Sequence, residues 1–147
     1  MTNMIQSAKD QVAALTQTAY ERAAAAGALP AGAEVRATIE IPKDTAHGDY
    51  ASSFAMAGAK ALHMAPRAIA QVIVDHLELE GSYFGKVEIA GPGFLNFTLG
   101  PKWYRDVLSA IETQGAGYGS GAGGAGKKVM VEFVSANPTG PMHMGNA

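Results

Sequence analysis

A glycine-rich segment divides this 147-residue chain into two unequal parts. Residues 115–126 (GAGYGSGAGGAG) carry glycine at seven of twelve positions. A segment of this kind brings almost no apolar side chains to a core and is typical of a flexible linker. It is not a phosphate-binding loop, because no strand immediately precedes it and no GKS or GKT follows it. We therefore predict one module over residues 1–114, a linker over 115–126 and the start of a second domain over 127–147.

The composition limits the classes of protein to which the chain can belong. Its hydrophobic content of 48% with 16% charged residues is typical of a globular protein. The net charge of −2 provides no general basic surface, so any RNA contact must come from a local patch. The lack of cysteine excludes disulfides, thiolate metal sites and a cysteine nucleophile. With no apolar signal segment or membrane span evident, we expect a cytoplasmic protein without a membrane partner.

The first module shows helical and strand patterns that together predict an α+β fold, an antiparallel sheet packed by helices. Apolar residues at three- and four-residue spacing predict a helix over 3–26. Alternation predicts a strand over 34–42, followed by a loop over 43–50 in which Asp49 caps a helix rich in small residues. Pro66 and Pro101 suit the first positions of further helices, over 66–78 and 101–114.

A hairpin is predicted over residues 84–99. Its strands would be 84–90 and 94–99, joined by the turn Gly91-Pro92-Gly93. Alternation places Phe94 and Asn96 together on the face opposite Leu95 and Phe97. An aromatic ring two residues from an amide is suited to reading an unstacked RNA base, since the ring stacks on the base while the amide bonds its edge. The alternative is that Phe94 covers the core beneath the first helix.

The last residues of the chain combine a buried strand with a polar turn. The run 129–134 suits a strand buried on both faces of a parallel sheet, and Pro138, Gly140 and Pro141 then force a turn. Glu132 within the apolar run is costly to bury unless it meets a cation. His143 and Asn146 would share one face of a following helix. The alternative is an edge strand with a solvated glutamate and an ordinary polar turn.

Three segments resemble one known family. EFVSANPTGPMHMGN resembles the signature segment of arginyl-tRNA synthetases, class I enzymes with an ATP-binding His-Ile-Gly-His motif, here His143-Met144-Gly145-Asn146. Asn146 stands where the motif has its second histidine; an amide donates hydrogen bonds but carries no charge. HGDYASSFAMAGAKALHMAPRAIAQVI and GPGFLNF resemble the family's N-terminal additional domain, which approaches the tRNA elbow. The resemblance implies that residues 127–147 begin a truncated Rossmann-type catalytic domain.

The resemblance also implies roles for particular residues. Arginine would be held by Glu132, Ser135 and Asn137. Strict alternation puts Glu132 and Ser135 on opposite faces of a strand, so the strand must end or bulge between them. His143 and Asn146 would be catalytic, stabilising the ATP phosphates. The D-loop of tRNA would be contacted by Phe94 and Asn96. The full ATP motif would comprise Pro138, Thr139, Gly140, Pro141, Met142, His143, Met144, Gly145 and Asn146. Candidate phosphate contacts are Lys43, Lys60, Arg67, Lys86, Lys102 and Arg105.

The function implied by the resemblance is that of the N-terminal part of an arginine–tRNA ligase. The parent would join L-arginine to tRNA(Arg) through an arginyl-adenylate, with ATP as substrate, Mg²⁺ accompanying it and no protein-bound metal, and it is expected to be monomeric. The fragment alone should only bind tRNA, because a single strand cannot build a nucleotide crevice. Three alternatives are a non-catalytic RNA-binding module, another nucleotidyl-transferring enzyme of the same superfamily, and a structural domain with an accidental Pro/Gly tail.

Overall fold

A four-stranded antiparallel sheet and four helices form the part of the chain that the computed structural model describes, residues 3–132. The strands are β1 (Ile39–Glu40), β2 (Tyr50–Ser52), β3 (Phe84–Ala90) and β4 (Phe94–Leu99). The helices are α1 (Met4–Ala25), α2 (Phe54–Gly58), α3 (Pro66–Asp75) and α4 (Pro101–Gln114), with short 3₁₀ turns at Thr45–His47 and Gly115–Gly117. The predicted α+β class and antiparallel sheet are confirmed.

The sheet is centred on β4, in the order β1-β2-β4-β3. Its two faces differ because successive side chains of a strand point in opposite directions. Leu95 and Phe97 are fully buried on one face, where Phe97 packs edge-on against Phe84 with ring centroids 5.3 Å apart. The helices α1, α2 and α3 cover this face and complete the core. Phe94 and Asn96 therefore lie on the opposite face, as the alternation predicts.

Helix α1 supplies a long apolar stripe to that core. Asn3 caps its first turn, since the side-chain oxygen accepts hydrogen bonds from the backbone N–H groups of Ile5 and Gln6, each at 3.1 Å. Its buried residues recur at three- and four-residue spacing: Ala8, Val12, Thr16, Ala19, Tyr20 and Ala23. The hydroxyl of Tyr20 donates to the carbonyl of Pro30 and accepts from the N–H of Ala33, both at 2.8 Å, so the helix also holds the following loop.

Local sequence signals predict several elements correctly. Helix α3 begins at Pro66, although it ends at Asp75 rather than at residue 78. The hairpin of β3 and β4 has the predicted ends and the predicted three-residue turn. Helix α4 likewise begins at Pro101 and ends at Gln114.

The segment between residues 34 and 58 differs from the prediction. The strand expected over 34–42 is reduced to Ile39–Glu40, because it finds a partner only in the three-residue strand β2. Asp49 does not cap a helix: the residues that follow it form β2, and α2 begins only at Phe54. The Asp49 carboxylate instead accepts a hydrogen bond from the N–H of Leu99 at 2.7 Å. The residues predicted to begin a helix after Asp49 therefore form β2, an inner strand of the sheet.

The C-terminal part of the described chain is exposed. Tyr104, Leu108 and Ile111 of α4 are 53%, 62% and 39% exposed, and all of residues 115–132 are exposed. The buried strand predicted over 129–134 is not observed in residues 129–132, which carry no regular secondary structure. Val129, Met130 and Val131 face solvent there, in the absence of sheet neighbours within residues 3–132.

Within residues 3–132, no helix combines the length and the hydropathy needed to cross a bilayer.

Gly48 provides a test of how the loop before β2 is fixed. Its φ of 77° and ψ of −165° are favourable only for glycine, and a Cβ there would lie 2.8 Å from the carbonyl oxygen of Phe97. Gly32 has the same φ of 77° with nothing within 4 Å, which makes it the matched control. We expect Gly48→Ala to lower the free energy of unfolding by about 1–3 kcal/mol more than Gly32→Ala, measured by chemical denaturation. Equal losses would mean that the close approach is unimportant.

Candidate nucleic-acid interface

The face of the sheet opposite the helices carries an open cavity of about 420 Å³. Its size lies within the range of small-molecule and nucleotide pockets. Three groups of residues line it: the β1 side and following loop (Glu40, Pro42, Lys43, Asp44, His47), the sheet (Ala51, Phe94, Asn96) and the hairpin turn (Ala90, Gly91, Pro92). The two residues predicted from the sequence to read a base, Phe94 and Asn96, therefore lie in the same cavity.

The strand register explains why a hollow forms here. Glu40 pairs with Ala51, Ala51 pairs with Asn96, and Asn96 pairs with Glu88, so these four residues form one row across the sheet. Directly paired residues point to the same face. Ala51 contributes only a methyl group between the longer side chains of Glu40 and Asn96. The small residue therefore forms the floor, and its neighbours form the walls.

Asn96 has the polar group best placed to meet a ligand. The residue is only 8% exposed, and its side-chain amide forms no hydrogen bond with any of residues 3–132. The amide is not one of their fully enclosed polar groups, so it is open to the cavity that the residue lines. An amide offers two N–H donors and one carbonyl acceptor. The amide therefore remains available to a molecule that enters the cavity.

Phe94 supplies the aromatic wall. It pairs with Ala90 across the hairpin, is half-buried, and is not part of the core cluster beneath the helices. The alternative that Phe94 covers the core under the first helix is therefore wrong. Because Ala90 is small, one side of the ring is not crowded by a large cross-strand neighbour.

The loop after β1 is held against the sheet by Gly48 and Asp49. The N–H of Asp49 donates to the carbonyl of Phe97 at 2.8 Å, and its carboxylate accepts from Leu99. Asp44 caps the 3₁₀ turn by accepting from the N–H of Ala46 at 2.9 Å. These bonds place Lys43, Asp44 and His47 along one wall of the cavity.

Tyr50, next in the chain, shows how closely this loop is packed on the core. Burial first, and the nearby Asp49 carboxylate second, raise the pKa of the Tyr50 hydroxyl above its ordinary value of 10.0. Tyr50 is therefore neutral throughout the physiological range. Its ring lies on the core face, 5.9 Å from the ring of Phe84, and contributes no charge to the cavity.

His47 lies on the cavity wall as an exposed side chain, so it has a place in the site that the sequence did not reveal. Within residues 3–132, no group of three or more histidine, aspartate, glutamate or cysteine side chains is arranged to hold a metal ion. His63 is exposed, and His76 caps the end of α3 with its Nδ1 2.8 Å from the carbonyl oxygen of Val72.

The charges around the cavity have both signs. Lys43 lines the cavity together with the carboxylates of Glu40 and Asp44. A wall of this kind is poorly suited to a bare phosphate, which requires a net positive environment. It is better suited to an uncharged group with both hydrogen-bond donors and acceptors, such as a nucleobase.

The candidate phosphate contacts are distributed unevenly around this cavity. Lys43 lines it, and the Arg67 guanidinium donates to the carbonyl of Gly91, a rim residue, at 2.8 Å. Two others are in ion pairs, Lys86 with Glu88 at 2.8 Å and Lys102 with Asp106 at 2.6 Å. Lys60 and Arg105 are exposed away from the lining residues. Of the six, Lys43 lines the cavity and Arg67 contacts one of its lining residues.

The residues predicted to bind arginine and ATP are almost all outside the described part of the chain. Glu132 is the last described residue, and it is exposed without regular secondary structure. Ser135 and Asn137, and the ATP motif with His143 and Asn146, lie outside residues 3–132.

The sequence did not identify Glu40 and Ala51 as members of the site. The alternation of residues 34–42 does put Glu40 on the polar face of its strand. However, Ala51 was expected in a helix, so the row linking Glu40 to Asn96 could not be recognised. Only the pairing of β1, β2 and β4 reveals it.

Comparison with known proteins assigns most of this region to one family. A family model described as the arginyl tRNA synthetase N terminal domain matches residues 6–99, which include every strand of the sheet.

Two bacterial proteins illustrate the similarity over the full chain. Proteins named arginine–tRNA ligase from Acetivibrio thermocellus and Caldanaerobacter subterraneus subsp. tengcongensis are each 45% identical over all 147 residues. A third, from Desulforudis audaxviator, is 50% identical over 110 residues, which is 75% of this chain. The chain spans about a quarter, 26%, of the length of the first two relatives.

A solved structure supports the fold. The crystal structure of arginyl-tRNA synthetase from Plasmodium falciparum superposes with a TM-score of 0.55 at 13% identity, covering 70% of this chain and 18% of that one. Identity this low supports similarity of fold alone.

The unpaired amide of Asn96 leads to a stability test. Replacing a buried amide that has no partner by an apolar group of similar size is close to neutral or stabilising. We expect Asn96→Leu to leave the free energy of unfolding unchanged or to raise it by up to about 1 kcal/mol. Asp49→Ala is the control: it removes the acceptor of a real hydrogen bond and should cost about 1–3 kcal/mol. A loss from Asn96→Leu as large as the control's would show that the amide has a structural partner.

Proposed function

The chain belongs to the arginyl-tRNA synthetase N-terminal domain family, and we propose that its residues 1–114 bind tRNA(Arg) by receiving an unstacked D-loop base in the cavity above Ala51. The observation that carries the proposal is Asn96, a cavity-lining amide without a partner among residues 3–132, two residues from an aromatic ring in the same cavity. Sequence-specific RNA recognition commonly uses this combination of stacking and edge reading.

Stacking on Phe94 would supply much of the binding free energy. A base stacked on an aromatic side chain contributes about 1–3 kcal/mol. Because Phe94 is half-buried at the cavity wall, little additional ordering is required when the base arrives. The amide of Asn96 would then bond the edge of the base and restrict which bases are accepted.

Phosphate contacts would come from the rim. Lys43 on the loop side and Arg67 on the hairpin side flank the cavity. Since the chain has a net charge of −2, these local cations must attract the backbone without a general basic field. Such a surface should bind RNA weakly but in one defined position. The phosphate contacts would fix where the protein lies on the RNA, and the base contacts would select the sequence.

The parent protein would be an arginine–tRNA ligase, of which this chain is the N-terminal part. It would activate L-arginine with ATP, accompanied by Mg²⁺, and transfer it to tRNA(Arg). Residues 115–126 would link the tRNA-binding domain to a Rossmann-type catalytic domain that begins at 127–147. Glu132, Ser135 and Asn137 would hold arginine, and His143 with Asn146 would stabilise the ATP phosphates. A cytoplasmic, monomeric parent is part of this proposal.

The proposed role of the fragment is binding, without catalysis. Its described residues form the cavity that would receive the base, while the exposed run at residues 129–132 has no sheet neighbours among them to form a nucleotide crevice. This combines the two hypotheses from the sequence: a ligase as parent, and an RNA-binding module as the fragment.

Replacement of Phe94 tests the tRNA site. We expect Phe94→Ala to weaken binding of tRNA(Arg) to the 147-residue chain by about 1–3 kcal/mol, measured by filter binding at fixed low salt, because the stacking surface is lost. Tyr104→Ala is the control, since Tyr104 is an exposed aromatic of α4 outside the cavity. Affinity unchanged by Phe94→Ala, or no binding by the unaltered chain, would refute the proposed site.

Replacement of Glu132 tests the parent's arginine site. In the full-length parent, Glu132→Gln removes the negative charge that would pair with the guanidinium, and the KM for arginine should rise at least tenfold, a loss of about 1.4 kcal/mol. The KM for ATP is the internal control and should change little. The unaltered 147-residue chain should show no ATP–pyrophosphate exchange. Normal arginine kinetics in the variant, or exchange by the fragment, would contradict the assignment.

A further inference from the structure

We propose that Glu40 is a second base-reading residue, which bonds the exocyclic amino group of the base that Asn96 reads from the opposite side. This inference rests on the proposed function, because it concerns the same cavity and the same ligand. It assigns the cavity to an amino-bearing base in preference to uracil.

The strand register places the two residues on opposite walls. Glu40 and Asn96 flank Ala51 in one row of directly paired residues. Neighbouring strands are about 4.8 Å apart, so the Cα atoms of Glu40 and Asn96 are separated by about 10 Å. Between them lies only the methyl group of Ala51. A flat ring lying over this methyl group would therefore present one edge to each wall.

Glu40 is available for this role. It is exposed and lines the cavity, and it forms no ion pair or side-chain hydrogen bond with any of residues 3–132. Glu88 differs, although it occupies the same row on the other side of Asn96. Its carboxylate is paired with Lys86 at 2.8 Å, and it does not line the cavity. Of the two carboxylates in this row, Glu40 is therefore the one that both lines the cavity and lacks an ion pair within residues 3–132.

The chemistry of the two groups decides the class of base. The amide of Asn96 can be turned by 180°, so by itself it can satisfy either a donor–acceptor or an acceptor–donor edge. The carboxylate of Glu40 only accepts hydrogen bonds. It is satisfied by an exocyclic amino group, as when glutamate reads cytosine, and it repels a carbonyl oxygen placed at the same point. Uracil has no amino group and is therefore disfavoured.

The experiment combines protein variants with changed RNA bases. tRNA(Arg) transcripts are altered one D-loop nucleotide at a time to locate the base whose replacement by uracil most weakens binding to the 147-residue chain. A second transcript then carries the analogue of that base without its amino group. Binding is measured for the unaltered chain, Glu40→Leu, Phe94→Ala and the control Glu88→Leu.

We expect Glu40→Leu to weaken binding of the natural tRNA on the order of tenfold. Removal of the amino group should weaken binding to the unaltered chain by a similar factor and should have little further effect on Glu40→Leu. Glu88→Leu should retain both the affinity and the sensitivity to the amino group. This loss of additivity is the signature of direct contact between Glu40 and the amino group.

Other results separate this inference from the function on which it rests. If Glu40→Leu binds as well as, or better than, the unaltered chain while Phe94→Ala is weakened, Glu40 is not a reader and the base site remains. If the amino group matters equally in both proteins, the amino contact lies elsewhere and the inference is wrong. If neither Glu40→Leu nor Phe94→Ala changes binding, the proposed base site itself is refuted.

Discussion

The packing of β4 between β2 and β3 is the constraint on which both the core and the cavity depend. Leu95 and Phe97 are completely buried beneath the helices, and each such side chain contributes about 1.5–3 kcal/mol of hydrophobic stabilisation. A register shift of one residue would expose both of them, so the register is strongly fixed. The intervening residue Asn96 is thereby held on the opposite face, where its own polar requirements are not met by the protein. The hydrophobic core therefore fixes the position of an amide that forms no hydrogen bond with the other described residues.

The second requirement is that the loop after β1 stays on the sheet. The backbone of Asp49 bonds Phe97, and its carboxylate bonds Leu99, so the loop is joined to the same central strand that carries Asn96 and Phe94. Gly48 permits this close approach because a side chain there would meet the Phe97 carbonyl. The loop wall and the strand wall of the cavity are therefore both joined to β4, while Glu40 is held by the pairing of β1 with β2.

Elements with strong local signals were predictable from the sequence. The β3–β4 hairpin has two alternating runs around Gly91-Pro92-Gly93, and prolines mark the first residues of α3 and α4. Strand β2 was missed because its three residues are too short to show a period and are followed by alanines that favour a helix. Phe94 and Asn96 could be identified because both lie on one strand. Glu40 and Ala51 could not, since their position beside Asn96 is set by pairing between segments distant in the chain.

Helix α4, which follows the last strand of the sheet, has an exposed apolar surface. Tyr104, Leu108 and Ile111 are exposed along it, and the buried indole N–H of Trp103 has no acceptor within residues 3–132. Contiguous apolar surface of this kind promotes association between molecules as protein concentration rises. A preparation trimmed after Gln114 would keep that stripe while losing the glycine-rich segment and the exposed residues Val129, Met130 and Val131 beyond it. Association of such a trimmed domain in concentrated samples would then depend on α4, whose exposed apolar residues do not line the cavity above Ala51.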